Sequence, residues 1–162
     1  MPPGRGIVRV KGMPIFTLGY EGLSPECFAS ILKEAGVQHV CDARELPLSR
    51  KKGFSKSAIS QMLASHGIKY EHVKSLGCPR PIRNRYKATG DWSEYSVSFA
   101  KYLRKQSQAL AELAVVSRAM KTCIICFEAN PDRCHRKFVA VAVAERTKQK
   151  AIHLTQKVAP AD

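Results

Sequence analysis

The chain has 162 residues, 44% hydrophobic and 25% charged, a balance that suits one folded unit with its own core and excludes a disordered or fibrous polymer. No apolar run approaches the ~20 residues of a membrane span, and the start Met1-Pro-Pro-Gly-Arg-Gly-Ile-Val-Arg lacks the apolar centre of a signal peptide, so a cytoplasmic protein without a membrane partner is expected. Lys and Arg number 27 against 13 Asp and Glu, a net charge of +14, which favours polyanions such as nucleic acid, nucleotides or acidic surfaces as partners.

Residues 15–18 form a short apolar run that Gly19-Tyr20-Glu21-Gly22 ends, predicting a strand and a turn. Ser24-Pro25 predicts an N-cap with proline at the first helical position. Phe28, Ile31, Leu32 and Ala35 then recur at helical spacing up to Gly36. Residues 39–41 predict a second strand ending at Asp42. Residues 44–53 are charged and broken by Pro47 and Gly53, so they predict a loop. Ser55 caps a second helix with Ile59, Met62 and Leu63 on its inner face, ended by Gly67, and residues 68–73 give a third strand. Residues 74–91, with Gly77, Pro79, Pro81 and Gly90, have no clear period and predict a long loop.

Tyr95, Phe99, Tyr102, Leu103, Gln106, Leu110 and Leu113 mark one long helix or two joined end to end. Residues 122–127 are short, continuous and β-branched, as in a buried fourth strand. A helix follows from about 132 to 148, with Phe138, Val139, Ala142 and Val143 inward, and residues 151–154 predict a short fifth strand. Strands alternating with helices predict a single α/β domain over 15–155, with a mostly parallel central sheet of about five strands and helices on both faces. Residues 1–14 read as a flexible basic tail and 156–162 as a C-terminal one.

Parallel strands place their exits on one side of the sheet, where open α/β folds bind ligands. Tyr20 and Glu21 follow strand one, Asp42 and Arg44 strand two, His72 strand three, and Glu128 strand four. The fourth exit is the densest in chemistry. Thr122-Cys-Ile-Ile-Cys-Phe-Glu128 runs into Ala-Asn-Pro-Asp-Arg-Cys134-His135-Arg136, which joins thiols, a carboxylate, an imidazole and guanidiniums.

In order along the chain, Thr17-Leu-Gly-Tyr-Glu-Gly22, Asp42-Ala-Arg44, Pro47-Leu-Ser-Arg50, Gly53-Phe-Ser-Lys56, Gly67-Ile-Lys-Tyr70, Leu76-Gly77, Cys126-Phe-Glu128 and Cys134-His-Arg136 resemble the bacterial and archaeal family known as domain of unknown function 488. The resemblance spans residues 15–154. Cys78 departs from it, standing where a less reactive residue is expected. The resemblance implies an α/β fold and a cytoplasmic setting, and it brings no reaction with it.

Neighbouring carboxylates raise one another's proton affinity and so separate acid from base roles, which makes Asp42, Glu128 and Glu21 candidate catalytic acids or bases. The competing reading gives Asp42 a structural role as acceptor of backbone N–H groups and pairs Glu128 with Arg136. Guanidinium forks suit phosphate. Arg44, Arg50, Arg83 and Arg136 are therefore candidate anion binders, beside Ser49 and Lys56. Two basic runs supply the charge: Arg44, Arg50, Lys51, Lys52 and Lys56 against only Glu45, and Arg80, Arg83, Arg85 and Lys87 with no acid. Tyr20 and Tyr86 interleave with these cations and can stack bases.

The six cysteines are read as reduced. Cys134, beside His135 and a helix start, is a candidate nucleophile. Cys126 and Cys134 stand eight positions apart, and Cys123-Ile-Ile-Cys126 lies in a strand that turns its two thiols to opposite faces, so no metal and no cofactor is assigned. The reading favoured is an enzyme that processes nucleic acid or a nucleotide by hydrolysis at an N-glycosidic or phosphoester bond. The alternatives are a non-catalytic nucleic-acid-binding module and a thiol enzyme of sulfurtransferase type.

Overall fold

A computed structural model describes residues 12–156. Five strands, β1 (Ile15–Gly19), β2 (His39–Asp42), β3 (Lys69–His72), β4 (Thr122–Cys126) and β5 (Ala151–His153), form one sheet in the order β3-β2-β4-β1-β5. Every pairing is parallel. Six α-helices are found among the described residues: α1 (Pro25–Glu34), α2 (Lys56–Ser65), α3 (Arg80–Thr89), α4 (Trp92–Arg104), α5 (Ser107–Ala119) and α6 (Arg136–Thr147). The α/β class and the parallel sheet are those the alternating pattern predicts. No helix among the described residues is long and apolar enough to cross a membrane. The tails expected at 1–14 and 156–162 lie outside the described residues, apart from 12–14 and 156.

The central strands are buried end to end, with β1, β2 and β4 all inaccessible. Such a sheet needs apolar cover on both faces. Alternate residues supply it. Phe16, Leu18, Val40, Cys123 and Ile125 meet Phe28 and Leu32 of α1 and Ile59 and Leu63 of α2 on one side. Ile15, Cys41 and Ile124 meet Phe99 of α4, Leu110 and Leu113 of α5, and Val139 and Val143 of α6 on the other. Each of the aliphatic and aromatic side chains among these contributes about 1.5–3 kcal/mol through loss of contact with water. Ser24 and Ser55 cap α1 and α2 as expected, their hydroxyls accepting from the backbone N–H of Cys27 and Ala58.

The stretch 74–91 is not the structureless loop its composition suggests. A short 3-10 turn (Lys74–Leu76) leads to Cys78, which is buried, and then to α3. Pro81 sits in the first turn, where no intrahelical N–H is needed, and Gly90 closes the helix at φ 66°. No residue of α3 is fully buried. Ile82 and Tyr86, one turn apart, are its contacts with the core. Two apolar positions in a basic helix are too few for a period to stand out.

Tyr95 to Leu113 divides between α4 and α5, and the helix expected from residue 132 begins at Arg136 after a 3-10 turn (Pro131–Arg133).

Candidate functional site

From β2 the chain moves outward to β3, and from β4 it moves the opposite way to β5. The connecting helices α2 and α6 lie on opposite faces. A crevice therefore opens between the carboxyl ends of β2 and β4, the switch point at which doubly wound sheets hold ligands. Two glycines bring the loops together there. A Cβ on Gly19 would stand 1.7 Å from the backbone oxygen of Glu128, and one on Gly77 would stand 2.3 Å from the backbone nitrogen of Glu45. Only a residue without a side chain allows either approach.

Asp42 and Arg44 form the β2 wall. Asp42 is fully buried and accepts from Arg44 Nε at 2.8 Å and Nη2 at 2.7 Å, a two-pronged pair. Tyr70 of β3 donates its hydroxyl to Asp42 Oδ2 at 2.5 Å. Arg44 Nη1 donates to Phe54 O at 2.6 Å and to the Tyr20 hydroxyl at 3.2 Å. Tyr20 in turn stacks on Phe54 with ring centroids 4.4 Å apart. Burial opposes the charge on Arg44, but Asp42 outweighs it and raises the guanidinium above its ordinary range. Burial and the bond to Asp42 raise the Tyr70 phenol likewise.

The β4 wall carries the thiols. Cys126 ends the strand, and the loop through Glu128 returns at Cys134 and His135 to start α6. Glu128 Oε2 lies 3.5 Å from Cys126 Sγ and 3.3 Å from Cys134 Sγ. His135 Nε2 lies 2.6 Å from Ala43 O. A carbonyl only accepts, so Nε2 carries the proton. The other ring nitrogen, Nδ1, faces Cys134 Sγ at 3.9 Å.

Arg136 is fully buried beneath this loop. It donates to Thr17 Oγ1, Cys126 Sγ, and the carbonyls of Glu128 and Ala129. Burial, then the neighbouring Cys134, raise the Glu128 carboxyl above its ordinary value. Burial also drives the Cys126 thiol up. Cys134 behaves oppositely: burial opposes its ionisation, but Cys126, His135 and Arg136 together pull it well below the usual thiol range.

Between the walls lies a cavity of about 530 Å³, lined by five cations (Arg44, Arg50, Lys51, Arg83, Lys87) and two carboxylates (Glu45, Glu128). Of the expected site residues, Tyr20, Arg44, Ser49, Arg50, Arg83, Glu128 and His135 meet here. Arg44, Lys51 and Arg83 also bond protein groups, Lys51 Nζ to Tyr20 O and Arg83 to Glu45 and Cys78 O. Arg50 and Lys87 make no ion pair among the described residues.

Six expected site residues do not line the cavity. Asp42 lies behind Arg44 with both oxygens engaged, chiefly by the Arg44 and Tyr70 side chains and by one backbone N–H, that of Arg44 at 3.2 Å. Arg136 spends its donors on the protein interior and holds the 128–129 loop. Glu21 accepts from the Ala129 N–H on the outer surface. Lys56 opens α2 beside Pro47 and Leu48. Tyr86 packs against Trp92 and Tyr95, with centroids 5.5 and 5.1 Å away. Cys134 is 1% exposed and sits behind Glu128 and His135.

Lys51 and Lys87, named in the sequence only as members of the basic runs, also line the cavity, as do Glu45 and Cys78. Lys87 follows Arg83 by one helical turn on α3, a spacing that marks a shared face once the helix is known. Burial pushes the Cys78 thiol up to about 11.

A family model described as Domain of unknown function DUF488 matches residues 24–143. The match takes in the β2 exit, α3 and the whole of the β4 exit through His135 and Arg136. No curated protein and no solved structure matches the chain.

Proposed function

This chain belongs to the DUF488 family, a label that names no reaction, and from its own site we propose that it is an enzyme acting on nucleic acid or a nucleotide. One observation carries the reading: a half-buried carboxylate, Glu128, faces a cavity that five cations line. The cations suit phosphate, since guanidinium and ammonium donors meet its oxygens with opposite charge. Among the described residues Glu128 is the cavity carboxylate without an ion pair, whereas Glu45 pairs with Arg83 at 2.6 Å. It is the acid or base of the reaction, hydrolysis of an N-glycosidic or phosphoester bond. Arg50 and Lys87 hold the phosphate, and Arg44 and Tyr20 shape the floor. The net charge of +14 gathers polyanions to the same surface.

The test is a panel of nucleotides and short single- and double-stranded oligonucleotides, assayed for release of base or phosphate. Wild type hydrolyses at least one class. Glu128→Gln binds it within about twofold and loses about 10²-fold or more in turnover. Undiminished turnover in Glu128→Gln removes Glu128 from the chemistry. A wild type that binds oligonucleotides and hydrolyses none of the panel puts the binding-module reading in its place.

A second reading rests on Cys134, whose sulfur stands 3.9 Å from His135 Nδ1 just ahead of α6, a setting suited to nucleophilic sulfur chemistry. Its 1% exposure requires Glu128 to move before a substrate reaches it. Alkylation that Glu128→Ala accelerates, with sulfur transfer lost in Cys134→Ser, supports that reading over hydrolysis.

A further inference from the structure

We propose that Cys126, Cys134 and His135 bind one divalent zinc ion in the β4 wall of the cavity, with its fourth position open toward Glu128. Their Sγ, Sγ and ring-nitrogen atoms lie within 4.8 Å of one another, and all three residues are buried. Ligand atoms around a tetrahedral zinc stand roughly 3.5–3.8 Å apart, given bond lengths of about 2.0–2.3 Å. Separations of up to 4.8 Å therefore need to close by at most about 1.0–1.3 Å. In sequence the two cysteines look too far apart. The loop through Glu128 and the 3-10 turn brings the start of α6 back to the end of β4, and that return makes the cluster.

Three further features fit a metal. His135 Nε2 is fixed as a donor to Ala43 O at 2.6 Å, which leaves Nδ1, 3.9 Å from Cys134 Sγ, as the ring nitrogen a metal would take in place of a proton. Histidine ligands are oriented in this way, by an outer hydrogen bond at the other nitrogen. Both sulfurs also receive outer N–H groups: Arg136 Nη1 lies 3.3 Å from Cys126 Sγ, and the Arg136 backbone nitrogen lies 3.5 Å from Cys134 Sγ. Such donors stabilise thiolate ligands. Charge balances as well, because two thiolates neutralise the ion and Arg136 offsets Glu128. Two sulfurs and an imidazole select zinc over magnesium or calcium, which prefer oxygen. Cys126 and His135 line the cavity, which gives the ion its way in.

Three protein ligands and one open position are the pattern of a catalytic zinc, and Glu128 stands beside the open position, 3.3–3.5 Å from the sulfurs. A part for the ion in hydrolysis rests on the reading given under Proposed function; its binding does not.

The full chain is stripped with chelator under reducing conditions and titrated with zinc or cobalt alone. Bound metal is counted by mass spectrometry, and the cobalt form is read by visible absorption. The expected result is one ion per chain, with cobalt showing thiolate charge transfer and tetrahedral bands. Cys134→Ser and His135→Gln lose stoichiometric binding, whereas Cys27→Ser, which alters a thiol on α1, keeps it. Circular dichroism reports whether the variants fold, and the wild-type spectrum stands without them. A wild type that takes up no stoichiometric metal, or binding that survives in Cys126→Ser and Cys134→Ser, overturns the proposal. So does a chain that takes up no metal and instead links Cys126 to Cys134 on mild oxidation. Oligonucleotide binding at Arg50 and Lys87 is scored separately, so failure of the metal site and failure of the polyanion reading are distinct results.

Discussion

Replacing Asp42 by Asn keeps the shape of the side chain and removes its charge. Arg44 then stays in place with a guanidinium that is 7% exposed and faces a neutral amide. Two Arg44 bonds of 2.7 and 2.8 Å and the Tyr70 bond of 2.5 Å all converge on this carboxylate. Breaking a buried ion pair from one side costs about 3–5 kcal/mol, because the remaining charge has lost its compensation. Asn still offers one carbonyl acceptor, which places the loss near the lower end, about 3 kcal/mol. For a domain of this size each kcal/mol lowers the Tm by roughly 2–4 °C, so the expected drop is about 6–12 °C.

The cause separates from a simple packing loss in a double-mutant cycle. Arg44→Met removes the charge that Asp42→Asn strands, so the double variant is more stable than the two single losses predict, by about 2 kcal/mol. Urea unfolding followed by circular dichroism measures all four proteins. An Asp42→Asn protein within about 1 kcal/mol of wild type, or a strictly additive double variant, refutes the assignment of Asp42 as the anchor of Arg44.

Gly77→Ala forces a methyl to 2.3 Å from the Glu45 backbone nitrogen and 2.6 Å from its Cα, and is expected to cost about 3 kcal/mol by urea unfolding; an unchanged midpoint would show that the Glu45 loop yields. Arg50→Ala and Lys87→Ala each weaken oligonucleotide binding and reduce the slope of log affinity against log salt by about one. Equal slopes for wild type and both variants place the polyanion elsewhere. His39, buried in β2 between Thr122 and Glu71, gives a pH dependence. Burial holds its pKa below the ordinary 6.5, against the pull of Glu71. The unfolded chain therefore takes up a proton there more readily than the folded one. The His39 contribution is complete above pH 6.5 and is lost as pH falls toward the lower, folded value. His39→Asn, although less stable, shows a shallower loss of stability as pH falls below 6.5, and parallel curves for the two proteins contradict it.

The strands β1, β2 and β4 are legible in sequence because burial on both faces makes them continuous apolar runs, and α1 and α2 because Ser24 and Ser55 cap clear apolar stripes. The convergence of Tyr20, Arg44, Glu128 and His135 follows from parallel topology alone. What could not be read was depth. Asp42, Arg44 and Arg136 carry the residue types of a catalytic centre, yet Asp42 and Arg136 lie a layer below the cavity and hold its walls. A charged residue at a strand exit points either into the crevice or back against its neighbours, and sequence spacing does not distinguish the two. The cluster of Cys126, Cys134 and His135 was obscured for a related reason: the loop between β4 and α6 doubles back, so separation along the chain overstates separation in space. Helix α3 was invisible because Ile82 and Tyr86 alone contact the core, and with it went the pairing of Arg83 and Lys87 on one face.

The most direct test of the proposed polyanion site is a crystal structure of the full chain soaked with a nucleotide or a short oligonucleotide. The expected density places a phosphate within hydrogen-bond reach of Arg50 and Lys87, with the rest of the ligand running inward over Glu128 between Tyr20 and Arg83. A ligand seated on another face, with the crevice between β2 and β4 left to solvent, would contradict the assignment.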